Sequence, residues 1–168
     1  MTLTIETALA QQLPEIAALA TRIWNQHYLG IISQPQIDYM LAKDYNLDAL
    51  QKDADLGSTF LLATEQGQPI GFASFRSLNR ETLKLEKLYL LKSHQGRGIG
   101  AALLKHVEAA AHELRALEII LYVNKHNHLA VSAYSRAGYL YLNSVLEPIG
   151  DGFFVDDFIL HKPLRVSH

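Results

Sequence analysis

The sequence predicts a single α/β domain over residues 1–168, built on a mixed and mostly antiparallel central sheet with one parallel strand–helix–strand junction. Three observations predict it. Apolar residues recur at helical spacing as far as Ala54 and switch to the alternation of strands from Thr59 onward. A glycine-rich turn, Gln95-Gly96-Arg97-Gly98-Ile99-Gly100, separates the apolar run Leu88 to Leu91 from an amphipathic run Ala101 to Arg115, and the apolar run Leu117 to Val123 follows it. The chain then ends as it would in a hairpin, with strand-like residues on both sides of Pro148-Ile149-Gly150-Asp151-Gly152.

Composition bounds the answer. A chain of 168 residues, 49% hydrophobic and 19% charged, can bury a sizeable core as one globular domain. Fifteen Lys plus Arg against seventeen Asp plus Glu give a net charge of -2, so no overall basic field draws nucleic acid. The absence of cysteine removes disulfides, thiolate metal sites and a cysteine nucleophile. Met1 to Glu6 lacks a basic region followed by an apolar core, and no run of about 18 apolar residues occurs, so a cytoplasmic location and no membrane partner are expected. The polar end, Arg165 to His168, is expected to fray.

Thr2 to Glu6 alternates as a short strand with one buried face. Pro14 suits the first turn of a helix carrying Leu13, Ile16, Ala17, Ala20, Ile23 and Trp24, which ends between His27 and Gly30. Ser33 before Pro35 marks a second helix start, with Ile37, Met40 and Leu41 on one face, and Asn46 to Asp55 adds a short helical piece. Phe60 to Thr64 and Pro69 to Arg76 form a hairpin, and Thr82 to Leu91 a long third strand. Beyond the glycine turn, the apolar stripe Ile99, Leu103, Val107, Ala110, Ala111, Leu114 makes a helix. Leu117 to Val123 is apolar enough to be buried on both faces, parallel to the strand before the helix. Asn127 to Ala137 forms the last helix, with Leu129, Ala130, Ala133 and Tyr134 inward and Gly138 as its cap. The summed order is β-α-α-β-β-β-α-β-α-β-β, without internal repeats, and the closing hairpin offers an edge at which a homodimer could pair.

Glycines 96, 98 and 100 can bend the chain tightly, and a helix start adds unpaired N–H groups and a positive dipole end. Such a turn holds an anion, most often a phosphate. Gly96-x-Gly98-x-x-Ala101 also satisfies the dinucleotide pattern, but antiparallel strands precede it and the following strand ends in Asn124, without the ribose-binding acid. A P-loop fails because Ala101-Ala102 stand where Lys and Ser or Thr are required.

Gln95 to Gly100 resembles the acetyl-CoA pyrophosphate loop, Gln/Arg-x-x-Gly-x-Gly/Ala, of the GCN5-related N-acetyltransferases. Asn127-x-x-Ala130-x-x-Ala133-Tyr134-x-x-x-Gly138-Tyr139 resembles a second block of that family, in register and at the proper distance. Within the family the chain is most similar to the bacterial PaiA-type polyamine acetyltransferases, through Leu85 to Leu90, Trp24 with Tyr28, Ser33 to Leu41, and Gly150-x-Gly152-Phe153-x-x-Asp156-Asp157. The resemblance implies a single-domain fold of that family and direct transfer of an acetyl group from acetyl-CoA, as cosubstrate and without a metal, to a primary amine. A small-molecule amine such as spermidine is the leading acceptor, against an amine on a protein or peptide. A non-catalytic CoA-binding regulatory module and an NAD-binding oxidoreductase are the rival readings.

The resemblance also implies roles. Backbone N–H groups of Gln95, Gly96, Arg97, Gly98, Ile99 and Gly100 take the pyrophosphate, Arg97 adds charge, the backbone of Leu88, Tyr89 and Leu90 pairs with the pantetheine arm, and Asn127 contacts the cofactor. Asn127 alone reads as a helix cap. Tyr134 is the candidate general acid, since a phenol of pKa ~10 can protonate a thiolate whose acid lies near ~8.5; by spacing alone it would be a packed core residue. Glu86, on the strand leading to the loop, can take a proton from the ammonium or pair with Lys84 or Lys87. Trp24, Tyr28 and Tyr39 can line an acceptor pocket or pack in the core. Asp157 can offer charge to a cationic amine, but Asp156 and Asp157 point to opposite faces of a strand, so at most one serves a given pocket. His126 and His128 lack a third ligand at metal-binding spacing.

Overall fold

The computed structural model describes residues 2–165, so the expected fraying beyond Arg165 lies outside the described residues. The elements in order are β1 (Leu3–Thr7), α1 (Leu13–His27), α2 (Gln34–Asp44), α3 (Leu47–Asp55), β2 (Thr59–Glu65), β3 (Gln68–Ser77), β4 (Thr82–Leu90), α4 (Ile99–Glu113), β5 (Glu118–Asn124), α5 (His128–Arg136), β6 (Leu140–Gly150) and β7 (Phe153–Pro163). Three helices, not two, separate β1 from β2, because α2 and α3 each start at their own cap. Ser33 Oγ accepts from Gln36 N at 3.2 Å and Asn46 Oδ1 accepts from Ala49 N at 2.8 Å. The strands make one seven-stranded sheet in the order β1-β2-β3-β4-β5-β7-β6. β4 and β5 run parallel, as a right-handed crossover through a helix permits, and β5–β7 and β6–β7 run antiparallel.

The chain groups into two compact units, one running to Arg76 and including Lys87–Leu103, the other comprising Ser77–Glu86 and the chain from Leu104. In the first, Phe60 to Ala63 of β2 and Ile70 to Phe75 of β3 are buried in unbroken runs, so these strands are covered on both faces. Their hairpin turns at Gln66 (φ 53) and Gly67 (φ 76), a pair of positive-φ residues whose twist matches the flanking strands. α1 buries Leu13, Ile16, Leu19, Ala20, Ile23 and Trp24, at the helical spacing read from the sequence. Gly71 of β3 is required by crowding: a Cβ there would lie 2.4 Å from Leu90 Cδ2 and 2.8 Å from the Tyr89 carbonyl oxygen.

In the second unit the register sorts side chains cleanly. Thr82↔Glu118 through Leu85↔Leu121 pairs β4 with β5, and Asn124↔Asp157 and Leu121↔Leu160 pair β5 with β7. Leu83, Leu85, Ile119, Leu121 and Leu160 thus share one buried face. α4 covers that face: Leu104, Val107 and Ala111 are buried, and Glu108 accepts from Lys162 Nζ of β7. The opposite face carries Lys84, Glu86, Tyr122, Asp157 and His161 by the same alternation.

Two expectations fail here. β5 is buried on one face only, with Tyr122 44% exposed, because the face away from α4 is polar: Thr82 Oγ1 and His161 Nδ1 lie 3.3 and 3.1 Å from the Glu118 carboxylate, and Lys84 Nζ stands 4.6 Å from the Tyr122 ring. Leu129, expected to point inward on α5, is 70% exposed. The stripe that α5 buries runs through Asn127 and Tyr134, so the helix is turned away from Leu129.

Candidate active site

The glycine turn has the backbone its composition demands. Gly96 and Gly98 have φ of +77 and +80, and a Cβ at either would meet nothing within 4 Å, so glycine is required by conformation and not by crowding. Both are exposed, whereas Ile99 is buried and anchors the start of α4. The first turn of α4 contains no acidic residue, which leaves its positive dipole end and free N–H groups uncompensated from within the helix. That donor set fits an anion such as a pyrophosphate.

Arg97 has a partner from β2. Its guanidinium forms a two-pronged pair with Glu65 of β2, Nη2 to Oε2 at 2.6 Å and Nη1 to Oε1 at 3.3 Å. His94 Nε2 lies 3.5 Å from the same carboxylate, and Arg97 above all holds the Glu65 carboxyl below the usual carboxylate range. Glu65 was not legible as a site residue, because it meets Arg97 from 32 positions away. Gln95 reaches Leu90 with Nε2 3.5 Å from its carbonyl oxygen, and a Cβ added at Gly100 would lie 3.6 Å from Leu90 Cδ1, so both ends of the loop lie by the end of β4. Leu88, Tyr89 and Leu90 are half-buried there.

Trp24, Tyr28 and Tyr89 come together with two aromatic residues that the sequence did not single out, Tyr45 and Phe72. Ring centroids are 4.3 Å apart for Trp24 and Tyr28, 5.7 Å for Trp24 and Tyr89, 5.3 Å for Trp24 and Tyr45, and 5.7 Å for Phe72 and Tyr89. The Tyr28 and Tyr89 hydroxyls are 3.5 Å apart. Trp24, Tyr28 and Tyr45 are buried, so most of this cluster is core packing, with edge-on and tilted rings. Burial pushes the Tyr45 phenol far up. Lys87 Nζ stands 5.2 Å from the Tyr45 ring centroid and 3.1 Å from Asp53 Oδ2, which ties β4 to α3. Tyr39 is half-buried on α2, its ring 6.0 Å from Lys43 Nζ.

In the second unit, Asn127 is the cap its residue type suggests: Oδ1 accepts from Ala130 N at 3.4 Å, and the residue is buried. Tyr134, one of the two candidate catalytic residues, is buried with its ring 5.6 Å from that of Tyr139. The Tyr139 phenol is raised well above its ordinary range, first by burial and then by Glu108 of α4 and Tyr134. Its hydroxyl is buried with no hydrogen-bond partner among the described residues.

Glu86 is half-buried on the polar sheet face. Asp157 shares that face, while Asp156, on the other, is 2.8 Å from Lys125 Nζ. Burial pushes the Asp157 carboxyl up to about 6, helped by Asp156 and Glu147 and opposed by Lys125 and Lys84. His126 and His128 pack edge to face with centroids 6.3 Å apart, and among the described residues no three His, Asp or Glu side chains gather as metal ligands. No described helix is long and apolar enough to cross a membrane.

These features have counterparts in known proteins. A spermidine N(1)-acetyltransferase from Thermoplasma acidophilum is 26% identical over 144 residues, 83% of this chain and 89% of its own length. The crystal structure of the PaiA N-acetyltransferase from the same organism, in complex with coenzyme A, superposes with a TM-score of 0.84 at 25% identity, over 98% of this chain and 100% of that one. The ribosomal-protein-S18-alanine N-acetyltransferase of Escherichia coli shares the fold, with a TM-score of 0.76 at 18% identity over 99% of this chain and 97% of its own. The model of the acetyltransferase (GNAT) family matches residues 18–139, which include both the glycine turn and the block that runs from Asn127 to Tyr139. The chain belongs to the acetyltransferase (GNAT) family of enzymes.

Proposed function

We propose that the protein moves an acetyl group from acetyl-CoA to the primary amine of a small molecule, with a polyamine such as spermidine as the leading acceptor. The observation that carries the cosubstrate is the pair of positive-φ glycines, Gly96 and Gly98, opening onto a helix start free of acidic residues. The coenzyme A held by the PaiA structure supports it, and the spermidine acetyltransferase at 26% identity supports the acceptor. Bound acetyl-CoA supplies an acetyl group activated as a thioester, whose C–S bond breaks as the C–N bond to the amine forms and whose sulfur leaves needing a proton.

The residues divide that work. Backbone N–H groups from Gln95 to Gly100 hold the pyrophosphate, and Arg97 shares its charge between that anion and Glu65. The backbone of Leu88, Tyr89 and Leu90 pairs with the pantetheine arm, as an edge strand accepts an extended ligand, and Asn127 fixes the start of α5 and contacts the cosubstrate. Tyr134 gives the departing sulfur its proton. Glu86 takes a proton from the acceptor ammonium and Asp157 supplies charge that attracts it, while Trp24, Tyr28 and Tyr39 shape the acceptor side, the first two through packing. The enzyme works in the cytoplasm, without nucleic acid, membrane or metal as partner, and the edge strand β6 is where a second copy would pair.

Thiol release from acetyl-CoA, measured against spermidine, aminoglycosides, amino acids and N-terminal peptides, tests the reading. Turnover with polyamines alone supports it, turnover with peptides alone moves the acceptor to a protein, and CoA binding without turnover leaves a binding module. Gly98→Glu should abolish CoA binding, since the side chain is strained at φ +80 and its carboxylate would repel the pyrophosphate; normal affinity by calorimetric titration would remove the loop from its role.

A further inference from the structure

The geometry points to Asp157, not Glu86, as the group that accepts the proton of the acceptor ammonium. This rests on the acetyltransferase reading above and exchanges two roles within it. Asp157 lies in the interior of the sheet, with Asn124 of β5 opposite it on one side and Val145 of β6 on the other, so paired strands on both flanks fix its backbone. Its carboxylate receives no hydrogen bond and makes no ion pair among the described residues. Its chain neighbour Asp156, on the other face of the strand, is taken by Lys125. A half-buried carboxylate held in place and left without a donor has open lone pairs to offer to an N–H of a ligand.

The surrounding charges suit a base. From β4, Lys84 faces Asp157 and Glu86 shares the sheet face; from β5, Tyr122 shares the face and Lys125 follows the strand end; from β6 comes Glu147, and from β7 Asp156 and His161. Burial dominates and the two nearby acids reinforce it, so the carboxyl titrates at about 6, where a base is ionised at neutral pH yet holds a proton well enough to take one. In the step an N–H bond of the ammonium breaks, its electron pair stays on nitrogen, and the proton moves to a carboxylate oxygen of Asp157. The acid so formed returns that proton to water before the next turnover.

The test is the pH dependence of kcat/KM between pH 5 and 9 for wild type, Asp157→Asn, Asp157→Glu and Glu86→Gln, with the best amine of the panel. Wild type should show an acid limb near pH 6. Asp157→Asn should lose that limb together with about a hundredfold in kcat, Asp157→Glu should restore part of the rate with a displaced limb, and Glu86→Gln should keep the limb while raising KM. Retention of the limb by Asp157→Asn, or its loss in Glu86→Gln alone, overturns the assignment. Should Asp157→Asn fail to fold, carboxyl-carbon NMR titration of the wild-type protein decides: a midpoint near 6 for Asp157 supports it and one near 4 overturns it. A wild type that binds CoA but acetylates no amine sinks the acetyltransferase reading instead, and the NMR titration still stands apart from it.

Discussion

The two faces of the sheet in the second unit differ in every respect that bears on proton transfer. On the α4 side, the leucines and isoleucines of β4 and β5 are buried, and the Tyr139 phenol, beside that of Tyr134, feels Glu108 of α4. On the other side lie Lys84, Glu86, Tyr122 and Asp157, with Tyr122 nearly half exposed. Both faces raise pKa values by desolvation, yet the outcomes diverge, since burial keeps a phenol protonated and brings a carboxyl close to neutrality. A sheet one strand thick can therefore hold a phenol and a carboxyl in separate surroundings, and so set their protonation apart.

Breaking the covered face should have the largest effect. Tyr134→Phe is expected to lower kcat by about 10²–10⁴ while CoA affinity by calorimetry stays within a factor of a few; unchanged turnover would remove the donor from that face. The open face should yield a change in stability opposite in sign to its change in activity. Asp157 binds its proton more tightly folded than unfolded, with a folded value of about 6 against 3.8, so its contribution favours the native state only where the group is protonated and is lost as pH rises from about 4 to about 6. Asp157→Asn should accordingly stabilise the protein at pH 7.5 by about 1–2 kcal/mol, allowing for partial solvent screening, and the gain should vanish near pH 4 in denaturant titrations. The smallest effect sharpens the contrast within the covered face. Tyr139→Phe removes a buried hydroxyl without a partner and should leave kcat unchanged while raising stability by about 1 kcal/mol or less, as thermal melts would show.

Local order in the molecule was readable because it is written locally. Helix starts at Ser33, Asn46 and Asn127 rest on side chains that cap the backbone three residues on, and the turn at Gly96 and Gly98 needs only those glycines and their flanks. Pairings made across long stretches were not readable. Glu65 reaches Arg97, and Asp157 acquires its surroundings from β4, β5 and β6, only once the register is set. The apolar run of β5 predicted cover on two faces, but apolarity cannot say whether an Ile or a Tyr at the alternate position meets a helix or a polar sheet face, and Tyr122 meets Lys84. Leu129 misled in the same way: a large apolar residue can stand on the outer side of a helix at little cost.

The close approach of β3 and β4 at Gly71 bears on which sequences this protein can pass through as it diverges. Any residue other than glycine brings a Cβ, and there that atom would press on a backbone oxygen as well as on Leu90, so the strand that ends at the glycine turn would have to move. Position 71 thus has no conservative replacement and no gradual route of exchange. The spacing that presents the end of β4 is held by a single missing atom.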